Sequence, residues 1–197
     1  MSDKYYQKLG LKVGLEIHWE LDTKRKLFCK CEPHQHPEKS NEKIIREHVA
    51  VPGETGEIDS AAIFEIRKNK KTIYEIYKDC ICEIETDSAP PYQPDLEALS
   101  ISFTIARLLN AKIMDEIHIM RKTIVDGSLP SGFQRTMLIA NSGNVKLKKS
   151  NIKIENMSLE EDSGRLIEIN NDITTFRLDR LGIAEIEVGT SPEIYTP

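Results

Sequence analysis

The chain has 197 residues, 39% apolar and 30% charged, with 27 basic and 32 acidic side chains and a formal net charge of −5. That length makes one large domain, or one domain with a small appendage, and suffices to bury a core. The acidic balance argues against sequence-independent nucleic-acid binding, which runs on excess Lys and Arg. It leaves room for a local basic surface.

Residues Leu11 to Leu21 read LKVGLEIHWEL. A strand period of 2 predicts that Leu11, Val13, Leu15, Ile17, Trp19 and Leu21 enter a core and that Glu16, His18 and Glu20 share an open face. Neighbours i and i+2 on such a face lie about 7 Å apart. Two carboxylates and an imidazole in a row can hold a divalent metal or move a proton. The same pattern also fits an ordinary amphipathic strand facing water.

A short strand or turn is expected through Leu27 and Phe28, then a surface loop broken by Pro33 and Pro37. Residues 44–51 read as a helix end or strand. Residues 57–66 read as a helix, with a turn at Asn69, and residues 72–77 and 81–85 as strands. Pro90, Pro91 and Pro94 make a rigid linker. Asp95 is the expected N-cap of a helix over 96–109, with Leu96, Leu99, Phe103, Ala106 and Leu109 buried and Asn110 near its end. Strands follow over 112–120, 134–140, 145–147, 152–159, 165–169, 174–178 and 183–188, with the NSGN at 141–144 as a hairpin turn. Many strands with one strong helix predict an α+β domain on a mostly antiparallel sheet with flanking helices. No run of about 18 apolar residues predicts a membrane span. The first ten residues hold no apolar signal core, so a cytoplasmic location is expected.

Four clusters could carry chemistry. Glu160, Glu161 and Asp162 stand together, and a twist or bulge at a strand end can turn all three toward one site. Adjacent carboxylates repel unless a cation or Arg neutralises them, which makes this a Mg²⁺ candidate, or else a solvated turn. In RLDRLGIAEIEV, Glu185 and Glu187 alternate with apolar residues, and Arg180 could meet a phosphate or carboxylate bidentately. The stretch from Arg121 to Thr136 offers Arg121, Lys122, Asp126 and Ser128 in a Gly-containing loop without a Walker pattern. A plain hairpin is the other reading of that stretch. Cys29, Cys31, His34 and His36 could form a local zinc site, although C-x-C is a weak zinc signal. Cys80 and Cys82 read as ordinary strand residues, and His48 and His118 as structural.

GLEIH at 14–18 followed by LDTKRKLFCKC at 21–31 resembles the opening signature of the kinase subunits of tRNA-dependent amidotransferases, the B/E family. LLNAKIMDEIHIMRKTIVDGS at 108–128, SGFQRT at 131–136, LEED at 159–162 and FRLDRLGI at 176–183 continue the match in order, closer to the archaeal E than to the bacterial B branch. The resemblance implies a cradle domain related to glutamine synthetase and guanidino kinases. It implies phosphorylation of the γ-carboxylate of glutamate on tRNA(Gln) by ATP and Mg²⁺. Ammonia from an asparaginase-like amidotransferase partner, the D-type subunit, would then displace the phosphate. Residues 1–197 would be the N-terminal part of the catalytic domain. The other half of the cradle, the inserted domain and the tRNA-binding tail would be absent, or supplied by a separate chain.

On this reading Glu16, His18, Glu160, Glu161 and Asp162 are candidate metal ligands, and Glu187 is a ligand or a base toward ammonium. Glu16, His18, Glu160, Glu161 and Glu187 form the candidate catalytic set. Arg121, Lys122, Asp126, Ser128 and Arg180 are candidates for ATP and phosphate. Zn²⁺ at Cys29 and Cys31 is a lesser expectation. The family pattern GIPLVEI becomes GIAEIEV at 182–188, with a proline lost and Glu185 added. A different carboxylate–amine ligase and a non-catalytic binding fragment are the alternatives.

Overall fold

The structure, a computed structural model, describes residues 3–47, 52–53, 55–68, 70–148, 150–170 and 172–195. The expectations for His48 and Asn69 lie outside the described residues. The chain folds as α1 (Asp3–Lys8), β1 (Glu16–Glu20), β2 (Glu42–Glu47), α2 (Ser60–Arg67), β3 (Lys71–Ile76), α3 (Leu96–Leu108), β4 (Lys112–Ile113), β5 (Ile119–Thr123), β6 (Phe133–Lys146), β7 (Asn151–Glu161), β8 (Arg165–Ile169), β9 (Ile173–Arg177) and β10 (Ala184–Thr190). A six-stranded antiparallel sheet runs β1-β10-β7-β6-β4, with β5 also paired to β6. A second sheet of four strands runs β2-β3-β9-β8, and only its β3–β9 pair is parallel. This is the expected α+β class. Among the described residues, no helix is long and apolar enough to cross a membrane.

Alternation builds the large sheet. Met137, Ile139, Met157, Leu159, Ile186 and Val188 point to one face and are buried there with Ala98 and Ala106 of α3. The helix starts where Asp95 accepts a hydrogen bond from the Ala98 amide at 2.9 Å. It stops at Asn110, whose φ of 51° turns the chain left-handed. The Ala111 amide then reaches back to the Ala106 carbonyl and the Asn110 amide to Arg107, closing a Schellman motif.

Several expectations are corrected. Of the apolar row in 11–21, only Leu21 is buried, and Leu15, Ile17 and Trp19 are exposed. Their strand lies at the sheet edge, and α3 covers β6 and β7 instead. Leu96 is also exposed, because the buried row of α3 is Ala98, Ser102 and Ala106 and Leu96 lies two residues, about 200°, away from it. Residues 81–85 form turns, not a strand. There the Glu85 carboxylate accepts the Cys82 amide, and the Glu83 carbonyl accepts the Ser88 amide. The expected strand over 112–120 is interrupted between β4 and β5. NSGN is no hairpin turn: β6 runs through it, paired to Asn156, Ile154 and Lys153. Gly143 serves close approach there, since a Cβ would sit 2.9 Å from the Leu109 carbonyl oxygen. The chain reverses later, where the Leu147 amide donates to the Ser150 carbonyl. Lys26, within a polar and basic stretch of sequence, is fully buried.

Candidate functional site

The face of the large sheet opposite α3 is polar, and register assembles it. His18 lies opposite Glu187 and Glu20 opposite Glu185 across β1–β10. Glu185 lies opposite Glu160 across β10–β7, and Glu160 opposite Thr136 across β7–β6. Lys122 of β5 faces the Gln134 position. Strands spaced about 4.8 Å apart therefore bring residues far apart in sequence into one row.

His18 is the hub. Its Nε2 is 3.1 Å from Glu16 Oε1 and 3.9 Å from Glu187 Oε2, and its Nδ1 is 3.1 Å from Glu185 Oε1. The Glu16, His18 and Glu187 ligand atoms lie within 4.8 Å of one another, as do those of His18, Glu160 and Glu185. Burial disfavours the imidazolium, but the Glu16 hydrogen bond and the charges of Glu185, Glu187 and Glu160 outweigh it and raise the His18 pKa. Glu160 is 1% exposed and accepts from Gln134 Nε2 and Thr136 Oγ1, both at 3.0 Å. Burial raises its pKa, with Lys122 and Thr136 pulling the other way. Burial likewise raises Glu185, against His18 and Arg180. Lys122 Nζ stands 3.3 Å from Glu187 and 3.8 Å from Glu160. Burial opposes its charge, yet those two carboxylates raise its pKa. Four carboxylates around one imidazole and one ammonium leave surplus negative charge, and oxygen donors with one nitrogen suit a divalent cation.

The remaining candidates separate from this group. Glu161 points to the opposite face, where Arg135 Nη1 holds both its oxygens at 3.0 and 3.1 Å and the Arg135 amide adds a third bond. That buried ion pair replaces the expected metal ligation, and no bulge turns Glu161 around. Asp162 is buried and paired to Arg180 Nε at 2.9 Å. The EED run is therefore no solvated turn. Arg180 serves Asp162 first and leaves part of its side chain exposed. Arg121 has the parity opposite to Lys122 and lies over the Phe133 ring at 5.4 Å. Asp126 accepts from the Ser128 amide at 2.9 Å and its hydroxyl at 2.7 Å, so these two close their own loop.

The cysteines regroup. Cys29 and Cys31 gather with Cys82 and Glu85, their ligand atoms within 4.8 Å of one another. The Cys29 thiol donates to Glu85 Oε1 at 2.8 Å, and the buried Lys26 Nζ is 3.6 Å from the same atom. Burial and Glu85 push the Cys29 thiol far up, and burial pushes Cys82 up to about 12. His34 and His36 go elsewhere, grouping with Asp79, with His36 stacked on Tyr77 at 4.0 Å. His118 is a surface residue beside Glu116. The residues that sequence reasoning left out of the site are Glu185, Gln134 and Thr136. The alternation of AEIEV already places Glu185 and Glu187 on one face, but Glu185 departs from the family pattern and so stays outside the candidate set.

The site is thus an acidic, histidine-centred face on an antiparallel sheet. The GatB/GatE catalytic domain family matches residues 11–197, and the chain belongs to that family. It is 48% identical over 193 residues to the E-type subunit of a glutamyl-tRNA(Gln) amidotransferase from Pyrobaculum neutrophilum, covering 98% of this chain and 32% of the relative. Identity is 49% to the corresponding subunit from Pyrobaculum aerophilum, with the same coverage. It is 45% to that of Methanocaldococcus jannaschii, covering 98% and 30%. The chain thus spans about a third of the length of these relatives.

Proposed function

We propose that this chain is the N-terminal part of an ATP-dependent subunit that amidates Glu-tRNA(Gln), in the cytoplasm, with ammonia delivered by an asparaginase-like partner. The observation that carries the reading is the gathering of two carboxylate pairs, Glu16 with Glu187 and Glu160 with Glu185, around His18, in a chain of this family. A carboxylate attacking ATP is an anion meeting a polyanion, so both must be neutralised. Glu16, His18 and Glu187, with Glu160 on the other side of the same ring, would hold Mg²⁺, which would supply positive charge to the phosphates. Lys122 and the exposed part of Arg180 would meet phosphate oxygens. A γ-carboxylate oxygen of the glutamyl group bonds to the terminal phosphorus and ADP leaves. Ammonia then adds to the acyl carbon and phosphate leaves. Glu187 serves either as a metal ligand or as the base that takes a proton from ammonium. Glu161, Asp162, Arg121, Asp126 and Ser128 stand outside these roles, since each is bound elsewhere.

The remaining cradle half belongs, on this proposal, to the longer part of the relatives, or to a separate chain. Zn²⁺ at Cys29 and Cys31, now joined by Cys82 and Glu85, is proposed as a clamp on the turn between β3 and α3 and takes no part in the reaction.

The test is ATP hydrolysis with Mg²⁺ and Glu-tRNA(Gln), first by this chain and then with the rest of the subunit and the ammonia-supplying partner added. Turnover that needs tRNA and the added parts, and is lost in Glu160→Gln, is the expected result. Turnover without tRNA would point to a small-molecule ligase. No turnover in any combination, with the chain shown folded, would leave a binding fragment.

A further inference from the structure

Glu185 occupies a place that no role above accounts for. Its side chain is only 13% exposed, deep for a carboxylate without an Arg clamp. Among the described residues, it is the one carboxylate at hydrogen-bond distance from Nδ1 of His18, 3.1 Å, whereas Glu16 and Glu187 both lie on the Nε2 side. The two ring nitrogens therefore face different surroundings. Nδ1 faces a carboxylate inside the sheet row, one strand in from the edge. Nε2 is equally near Glu16, at 3.1 Å, but that carboxylate is largely exposed and screened by water, so the more buried Glu185 is the stronger acceptor and Nε2 looks toward the open side.

We propose that Glu185 is a positioning residue: it accepts the Nδ1–H of His18, fixes that tautomer and the ring plane, and so presents the Nε2 lone pair beside Glu16 and Glu187 to a divalent cation. A neutral imidazole has one N–H and one lone pair, and the bond made by one nitrogen decides what the other can do. A carboxylate behind a ligating His also raises its basicity, and losing such a partner costs about 10–100-fold in metal affinity. A nitrogen donor in this trio favours Mn²⁺ over Mg²⁺, because Mg²⁺ prefers oxygen. Glu160 also groups with His18 and Glu185, yet its oxygens accept from Gln134 and Thr136. Lys122 sits with Glu187 and Glu160, and Arg180 pulls on Glu185 as a second cation. The contact that Glu185 makes through Oε1 is thus with the Nδ1 side of the ring.

The inference rests on the proposal that this face holds a metal, and two readouts on the folded chain separate them. Imidazole ¹⁵N NMR of the metal-free chain, with the ring neutral, reads the tautomer of His18. Mn²⁺ titration followed by EPR reads affinity. The expected result is an Nδ1–H tautomer in the wild type. Glu185→Leu should lose that preference and bind Mn²⁺ about tenfold more weakly. Glu185→Gln, which can still accept through its amide oxygen, should keep the tautomer and most of the affinity. An Nε2–H tautomer in the wild type with Mn²⁺ still bound would overturn the role of Glu185 alone. Equal losses in Gln and Leu would make Glu185 a ligand and overturn the positioning role. Failure of the wild type to bind Mn²⁺ at all would sink the metal reading as well.

Discussion

Asp162 carries the largest pH signal near the acidic face. Burial pushes its carboxyl up to about 8 against the pull of Arg180, and Glu20 within hydrogen-bond reach adds to the rise. Its ordinary value is 3.8, so between that pH and about 8 the folded chain keeps a proton that the unfolded chain has released. A folded state binding more protons loses stability as pH rises through that window. Glu160 and Glu185, also raised by burial, act in the same direction. Asp162→Asn should therefore flatten the fall of the melting temperature across that range. An unchanged slope would show that the proton resides elsewhere. None of this was legible in the EED run, which reads only as three adjacent carboxylates. Which one faces a cation, which one Arg135 and which one Arg180 depends on partners 18 to 26 residues away or more. By contrast, the Glu16–His18 pair could be read directly, because alternation alone puts both on one face.

At the scale of elements, local rules succeeded where the partners were local. The α3 helix was legible because its cap, stripe and stop all lie within its own residues. NSGN at 141–144 misled because its turn chemistry is real, yet Leu109 and Ala111 press on Gly143 from another element. The small sheet hides a stronger coupling. Glu75 of β3 is fully buried, and Arg177 of β9 donates to its Oε2 from Nε at 3.0 Å. The parallel register sets these two residues side by side. Glu75→Ala leaves Arg177 as an uncompensated buried charge, which costs about 3–5 kcal/mol. Urea unfolding measures it, and a loss below about 1 kcal/mol, the level of an exposed pair, would mean that the bridge is solvated.

For the whole molecule, the edge of the large sheet stands out. Leu15, Ile17 and Trp19 extend the core face of β10 onto β1 and stay exposed there, Trp19 at 72%. An uncovered edge strand with an apolar face invites pairing with another chain. The isolated chain should associate with itself as concentration rises, as sedimentation would show, and Trp19→Lys should suppress it. Trp19 is the sole tryptophan, so its emission should shift to the blue on association. A variant that associates as strongly as the wild type would place the contact elsewhere. The class of fold was legible from strand count and a single strong helix. The exposure of this row was not, because a period of 2 says which side chains share a face and never what covers it.

The parallel pairing of β3 with β9 has a consequence during synthesis. Lys71 pairs with Ile173, so a ribosome adding about 5–20 residues per second makes roughly 100 residues, over about 5–20 s, between the two strands. The β2–β3 hairpin emerges early and must wait, with Tyr74 lacking the Phe176 ring it packs against. The small sheet thus closes late in synthesis, and only β10, which joins β1 to the rest of the large sheet, is made after it. Chaperone capture, if it occurs, should fall on the β2–β3 hairpin and end once β9 has cleared the exit tunnel.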